Sequence, residues 1–170
     1  FSAGNGGAPS YKSAEIGEVT KPVSADLEIS YYETVHMANG QYSGNPWLME
    51  MADPVTRTSW GNYLAVPVNF DGVKTMVGFN DLVDGDLVEL TIGKKIVTLP
   101  VIQQFGQMPG TVSLALGYGR TLAGNTGTNV GFNVNDSLTV GADGPQYYNT
   151  KVTVSNKKGK EKSTVNGERT

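Results

Sequence analysis

Apolar and polar residues alternate along several short stretches of the chain, and that period of two predicts strands. In Ala25–Tyr32 (ADLEISYY), Leu27, Ile29 and Tyr31 share one face and Glu28, Ser30 and Tyr32 the other. Tyr63–Pro67, Leu87–Ile92, Ile96–Val101 and Thr111–Leu116 are rich in β-branched and apolar residues, and Gln146–Ser155 alternates again. Turn chemistry separates these runs. Asp84-Gly85-Asp86 is a turn in which the carboxylates bond local backbone N–H groups. Gly93-Lys94-Lys95 closes a hairpin. Gln107-Met108-Pro109-Gly110 pairs a pre-set proline with a permissive glycine. Pro100 predicts a strand end or an edge position for its run. Asn69–Asn80 predicts a strand or connection turning at Asp71-Gly72. Its β-rich Val73–Val77, interrupted by Gly78, argues against a helix before Asp84.

The segments between strands carry the unusual residues. Met37-Ala38-Asn39-Gly40 is a turn. Pro46 holds Asn45 extended, and Trp47, Leu48, Met49 and Met51 predict one short helical turn with Trp47 as an anchor. Asp53 is placed to cap a turn at Val55. For Trp47 and Trp60 core packing is the favoured reading, because buried aromatics dominate core energetics; exposure would instead mark a docking surface. His36 is the only histidine. No nearby group completes a triad or a metal set with it, so it reads as a loop residue near a barrel rim. Residues 117–131 hold five glycines and Arg120. Backbone N–H groups of such a loop can cradle a phosphate, with arginine supplying a charged fork. The segment matches neither the P-loop nor the dinucleotide fingerprint, and a plain linker crossing a barrel mouth is the favoured reading.

Composition narrows the classes. The 170 residues suit one domain with a substantial core. The 22 glycines and eight prolines fit a turn-rich β protein. A net charge of −3 leaves no electrostatic footprint for nucleic acid. With no cysteine there is neither a disulfide framework nor a thiolate for an iron–sulfur cluster or molybdenum. No apolar run approaches the ~20 residues of a membrane-spanning helix. No nucleophile–base pair or calcium-loop spacing appears, and no Gly-Ser bond exists for self-processing, so autonomous catalysis is not expected. Residues 1–24 read as a flexible lead-in, 25–155 as the domain, and 156–170 as a basic tip and disordered tail. The whole reads as an excised piece of a longer protein.

Two blocks resemble a known family. The stretch DGDLVEL…LPV…PGTVSLALGYGRT is similar to the C-terminal molybdopterin-dinucleotide-binding domain of the molybdopterin oxidoreductases. The block NPWLMEMADPVTRTSWGN, residues 45–62, resembles the polysulfide-reductase-like branch, and most of all the iron–sulfur (B) subunit of bacterial alternative complex III. The resemblance covers roughly Asp26 to Asn135. It implies a mainly β, six-stranded double-psi β-barrel with short helical turns. It also implies a scaffold or docking module within an iron–sulfur subunit of a membrane quinol-oxidising complex, on the periplasmic side of the bacterial inner membrane. Its partners would be other domains of the parent chain and other subunits, contacted through Trp47, Trp60 and Asn62. The alternative is a working molybdopterin guanine dinucleotide-binding domain, with Gly117, Tyr118, Gly119, Arg120 and Asn129 facing the cofactor. A stand-alone β-barrel binding module without a redox link is the third reading.

Overall fold

The computed structural model describes residues 25–68, 82–142, 144–155 and 159–160. The expectations for Asn69–Asn80, the lead-in and the tail lie outside them. The described chain is mainly β, with one nearly closed barrel-like sheet and a few short helices. In order come β1 (Glu28–Tyr32), α1 (Pro46–Glu50), β2 (Leu64–Val68), β3 (Asp86–Ile92), β4 (Lys95–Phe105), β5 (Thr111–Ala115) and α2 (Gly124–Gly127). A single 3-10 turn follows at Asn135–Ser137. The remaining strands are short: β6 (Thr139–Gly141), β7 (Gly144–Gln146), β8 (Tyr148–Asn149), β9 (Val152–Val154) and β10 (Gly159–Lys160).

The main sheet runs β10-β3-β4-β2-β5-β1-β8, with β9 added on β3; β6 and β7 form a separate hairpin. Two of its pairings are parallel, β1 with β5 and β2 with β4. The predicted hairpin is present: β3 and β4 are antiparallel, with Ile92 opposite Lys95 across Gly93-Lys94. Gly93 has φ of 59°, which fits a tight two-residue connection.

β4 is longer than its alternation predicts. Residues 95–100 pair with β3, whereas Val101–Phe105 pair with β2. Pro100 sits at the changeover, where its missing N–H interrupts neither ladder's interior. The Asp84-Gly85-Asp86 turn is fastened there too. Gly85 N donates to Val101 O at 2.9 Å, Gln103 N donates to Asp84 Oδ1 at 2.7 Å, and Asp86 Oδ2 accepts from Val83 N at 3.0 Å.

The inward faces merge into one core that includes Ile29, Leu64, Leu90, Leu99, Val112 and Leu114. β1 obeys its alternation, with Ile29 and Tyr31 buried and Ser30 exposed. β2 is buried on both faces, so Tyr63, Ala65 and Ile102 form a second, smaller cluster. The predicted last strand is broken. β8 pairs with β1 and β9 with β3, so the chain crosses between strands at Thr150-Lys151. Gly159-Lys160, within the expected basic tip, pairs with Asp86-Leu87.

Leu99 is fully buried in the strand that joins the two parts of the sheet. Leu99→Ala is expected to lower unfolding free energy by about 2–5 kcal/mol in a urea titration. The exposed Ile96 of the same strand, changed to Ala, is expected to shift it by no more than about 0.5 kcal/mol.

Candidate functional site

The long excursion between β1 and β2, residues 33–62, packs against the segment leaving β5, residues 116–134. Local chemistry shapes the excursion. Asn45 Oδ1 accepts from Trp47 N at 3.1 Å and caps α1, with Pro46 in the first turn. Asp53 Oδ1 accepts from Val55 N (2.9 Å), Thr56 N (2.8 Å) and Thr56 Oγ1 (3.1 Å), as its predicted capping role requires. Among the described residues, four non-glycine positions have left-handed backbone: Ala38, Arg57, Trp60 and Asn129. Three lie in the excursion and the fourth in the segment it packs on. Such positions cost on the order of 1–3 kcal/mol and persist only where the surroundings over-determine them.

Two close approaches hold these segments together. Gly40 (φ 95°) and Gly117 (φ 92°) meet backbone to backbone; a Cβ on Gly117 would lie 2.5 Å from Gly40 N. The Arg120 guanidinium lies over Gly40 and donates from Nη2 to Asn39 O at 3.0 Å. Gly127 is in direct contact with the Ser43 carbonyl, where no side chain fits. Asn62 fastens the far end. Its Nδ2 donates to Ala115 O (2.9 Å) and Phe132 O (3.0 Å), and its Oδ1 accepts from Phe132 N (2.8 Å).

Between the segments lies a buried polar cluster. His36 is 2% exposed, and its Nε2 is 3.3 Å from Tyr118 Oη. Its Nδ1 is buried without a hydrogen-bond partner. Burial pushes the His36 pKa below the ordinary imidazole value, against a smaller opposing pull from the Asp53 carboxylate. Tyr32 and Tyr118 are both pushed up to about 12, chiefly by burial, with Asp53 adding to both and Tyr118 adding to Tyr32. A hydrogen bond to Thr34 partly offsets the shift of Tyr118. Met37 and Met49 close the cluster, with Trp60 and Tyr32 packed on it.

The predicted site residues separate into three groups. Trp47 is 83% exposed, against the expectation of core packing. The reason is register: the Asn45-Pro46 start turns Met49, not Trp47, into the interior. Trp60 is half-buried against the methionines, and Asn62 is buried and bonded internally, so neither offers the free surface that Trp47 does. The glycine-rich residues form an ordered loop. Gly119 N donates to Val130 O (2.7 Å), Asn129 N to Arg120 O (2.7 Å) and Gly117 N to Asn135 Oδ1 (3.3 Å). Three of the five amides proposed to face a cofactor therefore already have protein acceptors, and Arg120 holds the 39–40 turn. As folded, these residues do not fit the convergent N–H cradle that a dinucleotide phosphate uses. His36 lies in a loop as expected, but deep inside it. Its partner Tyr118 is 82 residues away in sequence, and Tyr32 and Thr34 carried no local signal for this cluster.

Several apolar residues of these segments are exposed. Val35, Tyr42, Trp47, Met51 and Val55 come from the excursion, and Leu122, 95% exposed, comes from the loop before α2. α1 and α2 are in contact; Trp47 lies in α1, Met51 directly after it and Leu122 two residues before α2. Among the described residues no three His, Cys, Asp or Glu side chains gather as a metal set, and no helix is long and apolar enough to cross a membrane. No family model matches the chain, and no curated protein matches it.

Because both phenols ionise later in the folded protein than the ordinary value of 10.0, the stability they contribute is complete below pH 10 and is lost as pH rises towards about 12. A spectrophotometric titration of phenolate is expected to show a late fraction that ionises together with loss of the fold. Tyr118→Phe is expected to shrink that fraction.

Proposed function

We propose that this chain is a scaffold and docking domain of a molybdopterin oxidoreductase-like iron–sulfur subunit. It would serve a membrane quinol-oxidising complex on the periplasmic side of the bacterial inner membrane. The observation that carries the docking role is the exposure of Trp47 on the capped turn α1. A tryptophan held by a capped turn and left in water marks a contact site, since large aromatics of this kind anchor protein interfaces.

The identity of the parent complex rests on the resemblance of residues 45–62 and of the strand–glycine block ending at Thr121. We read the barrel as a double-psi barrel of that family. Its two parallel pairings, β1 with β5 and β2 with β4, support this, because a simple meander has none. The short β8 and β10 then count as additions at the edges. The internally bonded amides of Gly117, Gly119 and Asn129 favour scaffold over cofactor holder. In this role the domain supplies shape and interface, and electrons pass through clusters carried elsewhere in the parent.

Elemental molybdenum analysis and acid-released pterin fluorescence on the full-length parent distinguish the two roles. Iron without molybdenum or pterin is the expected result. Stoichiometric pterin and metal would make this a working molybdopterin guanine dinucleotide domain whose 117–131 segment rearranges around the ligand. Separately, Trp47→Ala is expected to reduce co-purification of partner subunits at least tenfold while leaving the thermal midpoint of the isolated domain within about 2 °C, as for other exposed substitutions. Loss of the fold in that variant would return Trp47 to the core.

A further inference from the structure

We infer that His36 is an acid-sensitive latch: proton uptake there detaches the 33–62 excursion, with its exposed Trp47 side, from the end of the barrel. This does not rest on the docking role, because it concerns how the excursion is attached and not what it meets.

The geometry leaves an imidazolium badly placed. A protonated ring has two N–H donors and needs two acceptors. Nε2 has the Tyr118 oxygen; Nδ1, equally buried, has nothing. Two of the described groups act on the His36 ring: Tyr118, after β5, meets Nε2, and Asp53, after α1, acts through its charge. Tyr32 at the end of β1, Thr34 in the same turn and Tyr63 before β2 border the cluster through Tyr118. Among the described residues Asp53 is the charged group acting on the ring, and it favours the imidazolium. Its Oδ1 is occupied by the Val55 and Thr56 cap, and burial outweighs its pull.

The proton's energetic demand therefore falls on the attachment. Hydrating His36 means moving the turn that includes Thr34, Met37 and Ala38. That same turn leads directly into Asn39 and Gly40, which carry the Arg120 hydrogen bond and the backbone contact with Gly117. The barrel core, from Ile29 to Leu114, lies outside this contact set. Opening the excursion is thus a local event, and the acid form gains from it.

The direction follows from linkage. The folded state binds the proton less well than an opened one, so attachment is complete above the ordinary value of 6.5 and weakens as pH falls below it. For one proton, the opening equilibrium grows by up to about tenfold per pH unit until the folded-state pKa is reached.

Both tryptophans, Trp47 and Trp60, lie on the excursion, so tryptophan emission reports on it alone. The test is an emission titration of the full chain from above pH 6.5 down to about 4, where carboxylates begin to titrate. The ring C–H resonances of the single histidine and amide exchange are followed in parallel. The expected result is an emission transition below 6.5 that coincides with the histidine titration. The opening constant of 33–62, taken from amide exchange after correction for the intrinsic slowing of exchange in acid, should rise about tenfold per unit of acid while the barrel strands stay protected. Asp53→Asn, which keeps the capping oxygen and removes the charge that favours the imidazolium in the attached state, is expected to move the opening midpoint to higher pH. His36→Gln is expected to abolish the transition. An emission transition that persists in His36→Gln, or a histidine that titrates without any change in emission or exchange, overturns the latch. Should His36→Gln fail to fold, the coincidence of midpoints in the unaltered chain and the Asp53→Asn shift decide the matter.

Discussion

β4 is the strand on which the rest of the sheet depends. Its first half pairs only with β3 and its second half only with β2, so the β3-β9-β10 side and the β2-β5-β1 side meet through this one strand. An eleven-residue strand that changes neighbours midway needs a residue that does not compete for either ladder, and Pro100 has no N–H to misplace. The turn from Asp84 to Asp86 then binds Val101 and Gln103 where β3 has left β4. Leu99 and Val101 flank the changeover and are both fully enclosed, so the join lies inside the core and not at its margin. Apolar burial and hydrogen bonding therefore coincide at the point where the barrel would otherwise divide.

The excursion between β1 and β2 solves a different problem. It is long and contains only one short helix, so most of its backbone polar groups cannot be satisfied by regular ladders. Side chains substitute. Asn45 and Asp53 cap turns, Asn62 bridges Ala115 and Phe132, and Arg120 reaches back to Asn39. Glycines at 40, 117 and 127 let backbone meet backbone where any side chain would collide. These contacts also hold Ala38, Arg57 and Trp60 in left-handed conformations. Strain of this kind is sustained by the surroundings and places side chains in directions that a relaxed loop does not reach. Trp60 goes inward as a result, whereas the register of α1 turns Trp47 outward.

Much of the barrel is legible in the chain, and the illegible parts have specific causes. β1, β3, β5 and the hairpin at Gly93-Lys94 follow from alternation and turn residues, because each buries one face. The middle of β4, Leu99 to Ile102, and all of β2 are covered on both faces, which erases the alternation and hides where a strand ends. The break between β8 and β9 depends on which neighbour each half pairs with, a tertiary fact. In the site, the Asn45 and Asp53 caps are readable from the type and spacing of a few adjacent residues. Trp47 is misread because a hydrophobic count does not contain helix register. The His36–Tyr118 pair joins residues 82 apart, and nothing local to either announces it. The glycines of 117–131 look like loop composition, whereas Gly117, Gly119 and Gly127 are sites of close backbone approach.

The competing readings of the glycine-rich loop turn on what its donors face. A phosphate cradle needs several N–H groups that converge on empty space; a folded connection needs the same groups to meet protein carbonyls. At Gly117, Gly119 and Asn129 the second condition holds, and the arginine that would clamp an anion instead lies along the backbone of Gly40. The loop thereby becomes the wall against which the excursion is built. A wall of this kind has a use in association. Ordering a loop on binding costs conformational entropy, and a surface already ordered avoids most of that cost. The same fastening that removes the loop from anion binding thus sets α1 and α2 against each other, with Trp47 exposed in α1, Met51 exposed directly after it and Leu122 exposed two residues before α2.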